Sequence, residues 1–152
     1  MLKDYTRLAR PYFVMLALVA GGRWLMGTAF AVPYEKGTSV LSIVTLTLFA
    51  SFFSTAFLRR WLGFRLPQAA GFAMYMALVS QVVILLSTAL SYGLGIDSYF
   101  SNPMALNRQT DPVAFGAAMG FRAGGLVVNT LLNGIAGALG WALGGLLPPK
   151  AP

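Results

Sequence analysis

The chain has 152 residues, of which 57% are hydrophobic and 10% charged, and its formal net charge is +7. With a mean hydropathy of +0.71, it has too little polar surface for a soluble domain of this length, so a multi-spanning membrane protein is expected. The absence of cysteine and histidine excludes disulfides and removes the usual nucleophile, general base and haem ligand. We therefore expect no catalytic residue, no metal and no cofactor.

Four long apolar runs predict four transmembrane helices, at about residues 11–32, 38–58, 68–94 and 123–147. The first run counts about 22 residues, or roughly 33 Å of helix, which matches the hydrocarbon core of a bilayer. The predicted fold class is all-α: a polytopic membrane helix bundle that forms one domain over residues 1–152.

The first run also has an alternative interpretation. A basic start, an apolar stretch and then Ala29-Phe30-Ala31 resemble a signal peptide with a small-residue cleavage site. Arg23 interrupts the segment that should be neutral in a signal peptide, so an uncleaved first span is favoured.

The basic residues predict the topology through the positive-inside rule. With four spans and both termini in the cytoplasm, the cytoplasmic residues are Lys3, Arg7, Arg10, Arg59, Arg60, Arg65 and Lys150, and the external ones are Lys36, Arg108 and Arg122. The basic residues flank apolar runs instead of forming one patch, so we expect anionic headgroups at the cytoplasmic face as partners, and no nucleic acid. A bacterial cytoplasmic (inner) membrane fits this composition.

The longest connection, residues 96–122, carries two helix-start signals. Asn102-Pro103 and Asp111-Pro112 each place a capping side chain before a proline. They predict a short surface helix from Pro103 and another along the membrane interface from Pro112. Residues 112–147 are also apolar enough for one long helix, with a kink or a break expected near Gly124-Gly125.

Arg23 is the only charged residue inside a predicted span. Placing an arginine near the middle of a membrane span costs about 2.5–3.5 kcal/mol on insertion scales, so Arg23 needs compensating groups. Thr47, Ser51, Gln81 and Asn133 fall at similar depths, which predicts a polar layer around Arg23. This layer is either a ligand or partner site for an anion, a lipid headgroup or a carboxylate, or a structural contact in which Arg23 snorkels and the amides join helices.

Helical periodicity assigns faces to two spans. In residues 38–58, Thr47, Ser51 and Ser54 share one face, predicted to meet protein, and a face of Phe49, Phe53 and Phe57 is predicted to meet lipid. The last span has a stripe of small and amide residues that predicts close helix contact. Its members are Asn129, Asn133, Gly137, Gly140 and Gly144. The stripe packs within one bundle or forms a homo-oligomer seam.

Three functions compete on these grounds. The favoured one is a non-catalytic accessory or assembly subunit of a larger membrane complex, whose Arg23 meets a partner's carboxylate or a lipid phosphate. The alternative is an oligomeric transporter or channel for a small anion or amphiphile. A lipid-modifying enzyme is disfavoured, because the acidic residues lie outside the spans and His and Cys are absent.

Overall fold

The computed structural model describes residues 2–38 and 41–148, so the predicted cytoplasmic position of Lys150 lies outside the described residues. Within these ranges the chain forms helices and no strand. The helices are α1 (Leu2–Leu8), α2 (Arg10–Thr28), α3 (Tyr34–Thr38), α4 (Ile43–Leu62), α5 (Leu66–Leu94), α6 (Pro103–Leu106) and α7 (Phe115–Gly144).

Three helices, α4, α5 and α7, are long and apolar enough to cross a membrane. They indicate an integral membrane protein. The predicted first span corresponds to α2, which has 19 residues, carries Arg23 and is not among the three. The fourth span therefore stays a prediction.

Helix α2 ends earlier than the predicted span. Its last residue is Thr28, and the chain beyond it includes Ala31 in a left-handed conformation with φ of 46°. Pro33 disfavours helical backbone at the residue before it, so the helix does not extend through residue 32. Arg23 consequently lies five residues, or about 8 Å, from the end of its helix. The end of the helix is therefore closer to Arg23 than the predicted span placed it.

The residues before α2 form a helix that packs against the bundle. Helix α1 leads into α2 with backbone hydrogen bonds across Ala9. The Tyr5 hydroxyl donates to the carbonyl of Gln68 (2.9 Å), and the Tyr5 ring meets Phe72 edge-on with centroids 5.5 Å apart. The start of the chain is thereby attached beside the first turns of α5.

Helix boundaries follow local capping. Ser42 caps α4 by accepting from the backbone N–H of Thr45 (3.2 Å). Gly63 and Gly95, with φ of 67° and 62°, end α4 and α5 in the left-handed conformation that glycine adopts readily.

The connection between α5 and α7 contains a short helix at Pro103 and none that begins at Pro112. Asn102 caps α6 by accepting from the N–H of Met104 (2.9 Å). No separate helix begins at Pro112, since α7 starts at Phe115 and continues without a break to Gly144. Its 30 residues span about 45 Å, more than a bilayer core, so α7 must tilt or project from the membrane.

The two predicted faces of α4 are present. Thr47 and Ser51 are buried, whereas Phe49, Phe53 and Phe57 are exposed. Hydroxyl side chains in α4 reach their own backbone, as in the bond from Thr55 to the carbonyl of Ser51 (2.8 Å). The polar atoms of this face are therefore satisfied either by their own backbone or by residues of the neighbouring helices.

Candidate functional site

The glycines of α7 lie where this helix touches α4 and α5. A Cβ at Gly137 would lie 2.5 Å from the Cβ of Ala73, and one at Gly140 would overlap the carbonyl of Phe52. Gly144 meets the backbone of α4 in the same way. These three glycines are buried inside one chain, so they are not available as a seam between copies.

The two asparagines of the stripe serve helix contacts. Asn133 is 1% exposed, and its Oδ1 accepts from the Ser51 hydroxyl (2.8 Å), which joins α7 to α4. Asn133 Nδ2 donates to the carbonyl of Asn129 (2.8 Å), and Asn129 donates to that of Gly125 (2.9 Å). The amide row is thus a chain of hydrogen bonds along α7 with one link to α4.

Thr47 and Gln81 occupy different surroundings. Thr47 donates to the carbonyl of Ile43 (2.7 Å) and shares a hydrogen bond with the Tyr12 hydroxyl (2.9 Å), which attaches α2 to α4. Gln81 is 5% exposed, and its amide forms no hydrogen bond within the described ranges.

The contacts of Arg23 are with residues other than the four expected around it in the predicted layer. It is 8% exposed, and Nη1 donates to the carbonyl of Leu41 (2.7 Å). Three aromatic rings surround its guanidinium, with centroids 5.9, 5.6 and 5.5 Å from Cζ; they belong to Tyr34, Tyr99 and Phe100. Arg23 makes no hydrogen bond with Thr47, Ser51, Gln81 or Asn133 in the described structure.

A second arginine, which the sequence analysis assigned to the external loop, lies near Arg23. Arg122 is in the second turn of α7, and its guanidinium is held at three points. Nε donates to Thr88 Oγ1 (3.0 Å), Nη2 to the carbonyl of Phe100 (2.8 Å) and Nη1 to that of Ala105 (3.3 Å). Phe100 therefore contacts both arginines, one through its ring and the other through its carbonyl.

The two arginines line the same cavity, which we call the two-arginine cavity. It measures about 140 Å³ and opens at the end of the bundle where α2 stops and α4 begins. Its walls also include Tyr34, the first residues of α4, one residue of α5 and two residues of the connection between α5 and α7; the lining is Arg23, Tyr34, Ser42, Ile43, Val44, Ile84, Phe100, Ala105 and Arg122. None of these lining residues is acidic.

Tyr99, which precedes the lining residue Phe100, is bonded to the chain that follows α2. It is 2% exposed, and its hydroxyl donates to the carbonyls of Val32 (2.7 Å) and Pro33 (3.1 Å). Gly27 permits this contact, because a Cβ there would lie 2.9 Å from the backbone nitrogen of Tyr99. The connection between α5 and α7 is thus bound to the end of α2, close to Arg23.

At the opposite end of the bundle, part of the predicted cytoplasmic charge is used within the chain. Arg59 lies over the ring of Trp141 at 3.9 Å and donates to the carbonyls of Trp141 (2.9 Å) and Ala142 (3.1 Å) near the end of α7. A cation there complements the helix dipole. Arg59 therefore stabilises the bundle, whereas Arg65 is exposed.

The residues that lie near Arg23 were not predicted from the sequence. Arg122 had an available signal, because apolar residues continue on both sides of it, and a helix beginning at Phe115 places it inside the bundle. The positions of Tyr34, Tyr99 and Phe100 depend on how the connections fold back, which periodicity does not report.

No family model, no characterised protein and no solved structure matches this chain. The two-arginine cavity is therefore the feature from which a function is proposed.

Proposed function

We propose that this chain is a non-catalytic membrane protein that binds an anionic group in the two-arginine cavity and acts as an accessory or assembly subunit of a larger membrane complex. The observation that supports this proposal is the presence of Arg23 and Arg122 in one cavity whose lining residues include no carboxylate. Two like charges held close together in a poorly hydrated site favour a bound counter-charge.

The lining side chains favour binding over reaction. Ser42 is the only lining serine, and its oxygen accepts from both the backbone N–H (3.2 Å) and the hydroxyl (3.0 Å) of Thr45. A serine nucleophile needs a neighbouring general base, and Ser42 instead caps a helix. We infer that the cavity holds its ligand without transforming it.

The proposed topology has four spans with both termini in the cytoplasm of a bacterium. Two contacts of α2 support this topology. Near the start of α2, the Tyr12 hydroxyl donates to the carbonyl of Met76 in α5 (3.4 Å). Near the end of α2, Gly27 lies against Tyr99. Because the chain lacks cysteine, single cysteines at Lys3, Arg65 and Arg108 can be labelled without background. Labelling of Lys3→Cys and Arg65→Cys from the cytoplasm and of Arg108→Cys from outside would support this topology. Labelling of Lys3→Cys and Arg108→Cys from the same side would contradict it.

The subunit role is tested by native mass spectrometry of the tagged protein, extracted from its own membrane in a mild detergent. Recovery with unrelated membrane subunits is expected. Arg23→Gln should lower the recovered partner or ligand, whereas Arg108→Gln, which removes an exposed charge outside the cavity, should not. Recovery without partner subunits, together with an unchanged ligand content in Arg23→Gln, would contradict the proposal.

The transport alternative requires an oligomer, because four spans are few for a monomeric transporter. The buried glycines of α7 do not supply a contact between copies. Recovery as a closed homo-oligomer together with anion flux in vesicles would nevertheless favour transport over the subunit role.

A further inference from the structure

We propose that the anion bound in the two-arginine cavity is a phosphate group, carried by a phospholipid headgroup or present as a free phosphate. This inference rests on the proposed anion-binding function and adds the class of ligand. It is argued from the donors that converge on the cavity, which come from α2, α4 and α7.

The first donor is Arg23, which has unused hydrogen-bonding capacity. A guanidinium carries five N–H donors in a planar fork, and within the described residues only one bond is seen, from Nη1 to the carbonyl of Leu41. The side chain is 92% buried, because its exposed fraction is 8%. Aromatic faces offset part of the cost of burying this charge but accept no hydrogen bonds as strong as those of an oxyanion. Arg23 is therefore the primary ligand-binding residue.

The second positive charge belongs to Arg122, which is fixed by the protein. Three of its five N–H donors are bonded to Thr88, Phe100 and Ala105, so its position is set before any ligand arrives. Such preorganisation lets a charge act on a ligand without a further loss of side-chain freedom. Arg122 is accordingly a positioning residue that adds positive potential to the cavity.

The third component is the amino terminus of α4. Ser42, Ile43 and Val44 line the cavity and form the N-cap and the first two positions of a 20-residue helix. Backbone N–H groups at the start of a helix have no acceptor within that helix, and the helix dipole adds partial positive charge there. This arrangement is the one by which helices commonly bind phosphate.

Together these components suit phosphate better than a single carboxylate. Donors approach from three helices, and a phosphate group offers at least two unesterified oxygens in a tetrahedral arrangement, with one or two negative charges. One water molecule needs about 10–15 Å³, so a cavity of about 140 Å³ has room for a phosphate group. Arg23 lies about 8 Å before the end of α2, within reach of the headgroup level of a bilayer.

The experiment compares a lipid that carries a phosphate-containing headgroup with one that lacks this headgroup. The full-length protein is purified in detergent and delipidated, and binding is measured by native mass spectrometry with phosphatidylglycerol and with diacylglycerol of the same acyl chains. Inorganic phosphate and oleate are measured in parallel, the latter as a carboxylate. The variants are Arg23→Gln, Arg23→Lys, and Arg108→Gln as the matched control, with size-exclusion profiles to establish folding.

The proposal predicts that phosphatidylglycerol binds and diacylglycerol does not, and that Arg23→Gln weakens binding by about tenfold or more, as expected for the loss of a charge-assisted pair. Arg23→Lys should bind with intermediate affinity because it keeps the charge and loses the fork. Arg108→Gln should bind as the wild type does. If inorganic phosphate displaces the lipid from the wild type and this effect is absent in Arg23→Gln, the bound anion is free phosphate.

Four results overturn the phosphate assignment. Equal binding of both lipids, or equal binding of phosphatidylglycerol by Arg23→Gln and Arg108→Gln, would show that the phosphate does not occupy this cavity. Arg23-dependent binding of oleate without binding of phosphate would overturn the ligand class and leave the proposed anion-binding function standing. A partner protein held through Arg23, with no lipid or phosphate bound, would do the same.

Discussion

The glycine-packed contact of α4, α5 and α7 differs from the two-arginine cavity in how polar groups are treated. In the first region, polar side chains bond to nearby carbonyls or to one another, as Ser51 does with Asn133, and small residues bring backbones into contact. In the second region a buried cation, Arg23, keeps most of its donors unbonded within the described chain.

Within a single bundle, some polar groups hold the helices together, whereas others are available to bind a ligand. Neutral groups satisfied inside the chain hold membrane helices together with modest energies. A buried charge with spare donors instead lowers stability unless a ligand compensates it. The proposed role of the cavity follows from that imbalance, and the variants below test it from the largest expected effect to the smallest.

Gly140→Leu should have the largest effect. A side chain there overlaps the carbonyl of Phe52, which belongs to a rigid helix backbone, so α7 and α4 must separate. Overpacking costs about 1–3 kcal/mol and occasionally more. Gly124→Leu is the matched control, since nothing lies within 4 Å of a Cβ at Gly124. Thermal unfolding with size-exclusion profiles should show loss of the fold only for Gly140→Leu; a folded, dissociated oligomer would contradict this account.

The two arginines should differ in their effect on stability. Arg122→Gln removes three hydrogen bonds of a charged guanidinium, so it should lower the free energy of unfolding by about 2–3 kcal/mol. Arg23→Gln removes a buried charge that has one hydrogen bond, so in delipidated protein its effect should be small or stabilising. The measurement is thermal unfolding in detergent without added phosphate. A larger loss for Arg23→Gln than for Arg122→Gln would indicate that Arg23 is structural.

Tyr12→Phe tests the attachment of α2. It removes a buried hydroxyl that bonds to Thr47 (2.9 Å) and should destabilise by about 1 kcal/mol. Tyr75→Phe removes an exposed hydroxyl bond to Thr6 and is the control, with an expected effect near zero. Thermal unfolding of both variants measures the difference in stability. Equal stability of the two would show that this bond does not hold α2 on the bundle.

Ser51→Ala should have the smallest effect of the series. It removes the only hydrogen bond from α4 to Asn133, and such bonds in membrane proteins are worth about 0.6 kcal/mol on average. The expected result is a slightly lower unfolding temperature with unchanged phosphatidylglycerol binding. Altered lipid binding in this variant would contradict the separation between the two regions.

Much of the fold was accessible from the sequence because it depends on local chemistry. Hydropathy located the three helices that can cross a membrane, and Asn102 marked the start of α6 through its capping side chain. The faces of α4 followed from helical periodicity, with Ser51 buried and Phe53 exposed.

The site was less accessible because it depends on where helices end and how connections return. Arg23 lies five residues before the end of α2 at Thr28, and its hydrogen-bond and ring partners are not the residues expected around it. Its neighbours come from positions far away in sequence, and Tyr99 and Arg122 meet it only because the chain folds back over the end of α2. Residue periodicity within a helix contains no information on such contacts.

The most direct test of the central claim is the change in unfolding temperature when phosphatidylglycerol is added to the wild type, Arg23→Gln and Arg108→Gln. A ligand that binds only the folded state stabilises it, by about 2.7 kcal/mol at a hundredfold excess over its dissociation constant. The account predicts a clear rise for the wild type and Arg108→Gln and none for Arg23→Gln. An equal rise in all three proteins would contradict a phosphate site at Arg23.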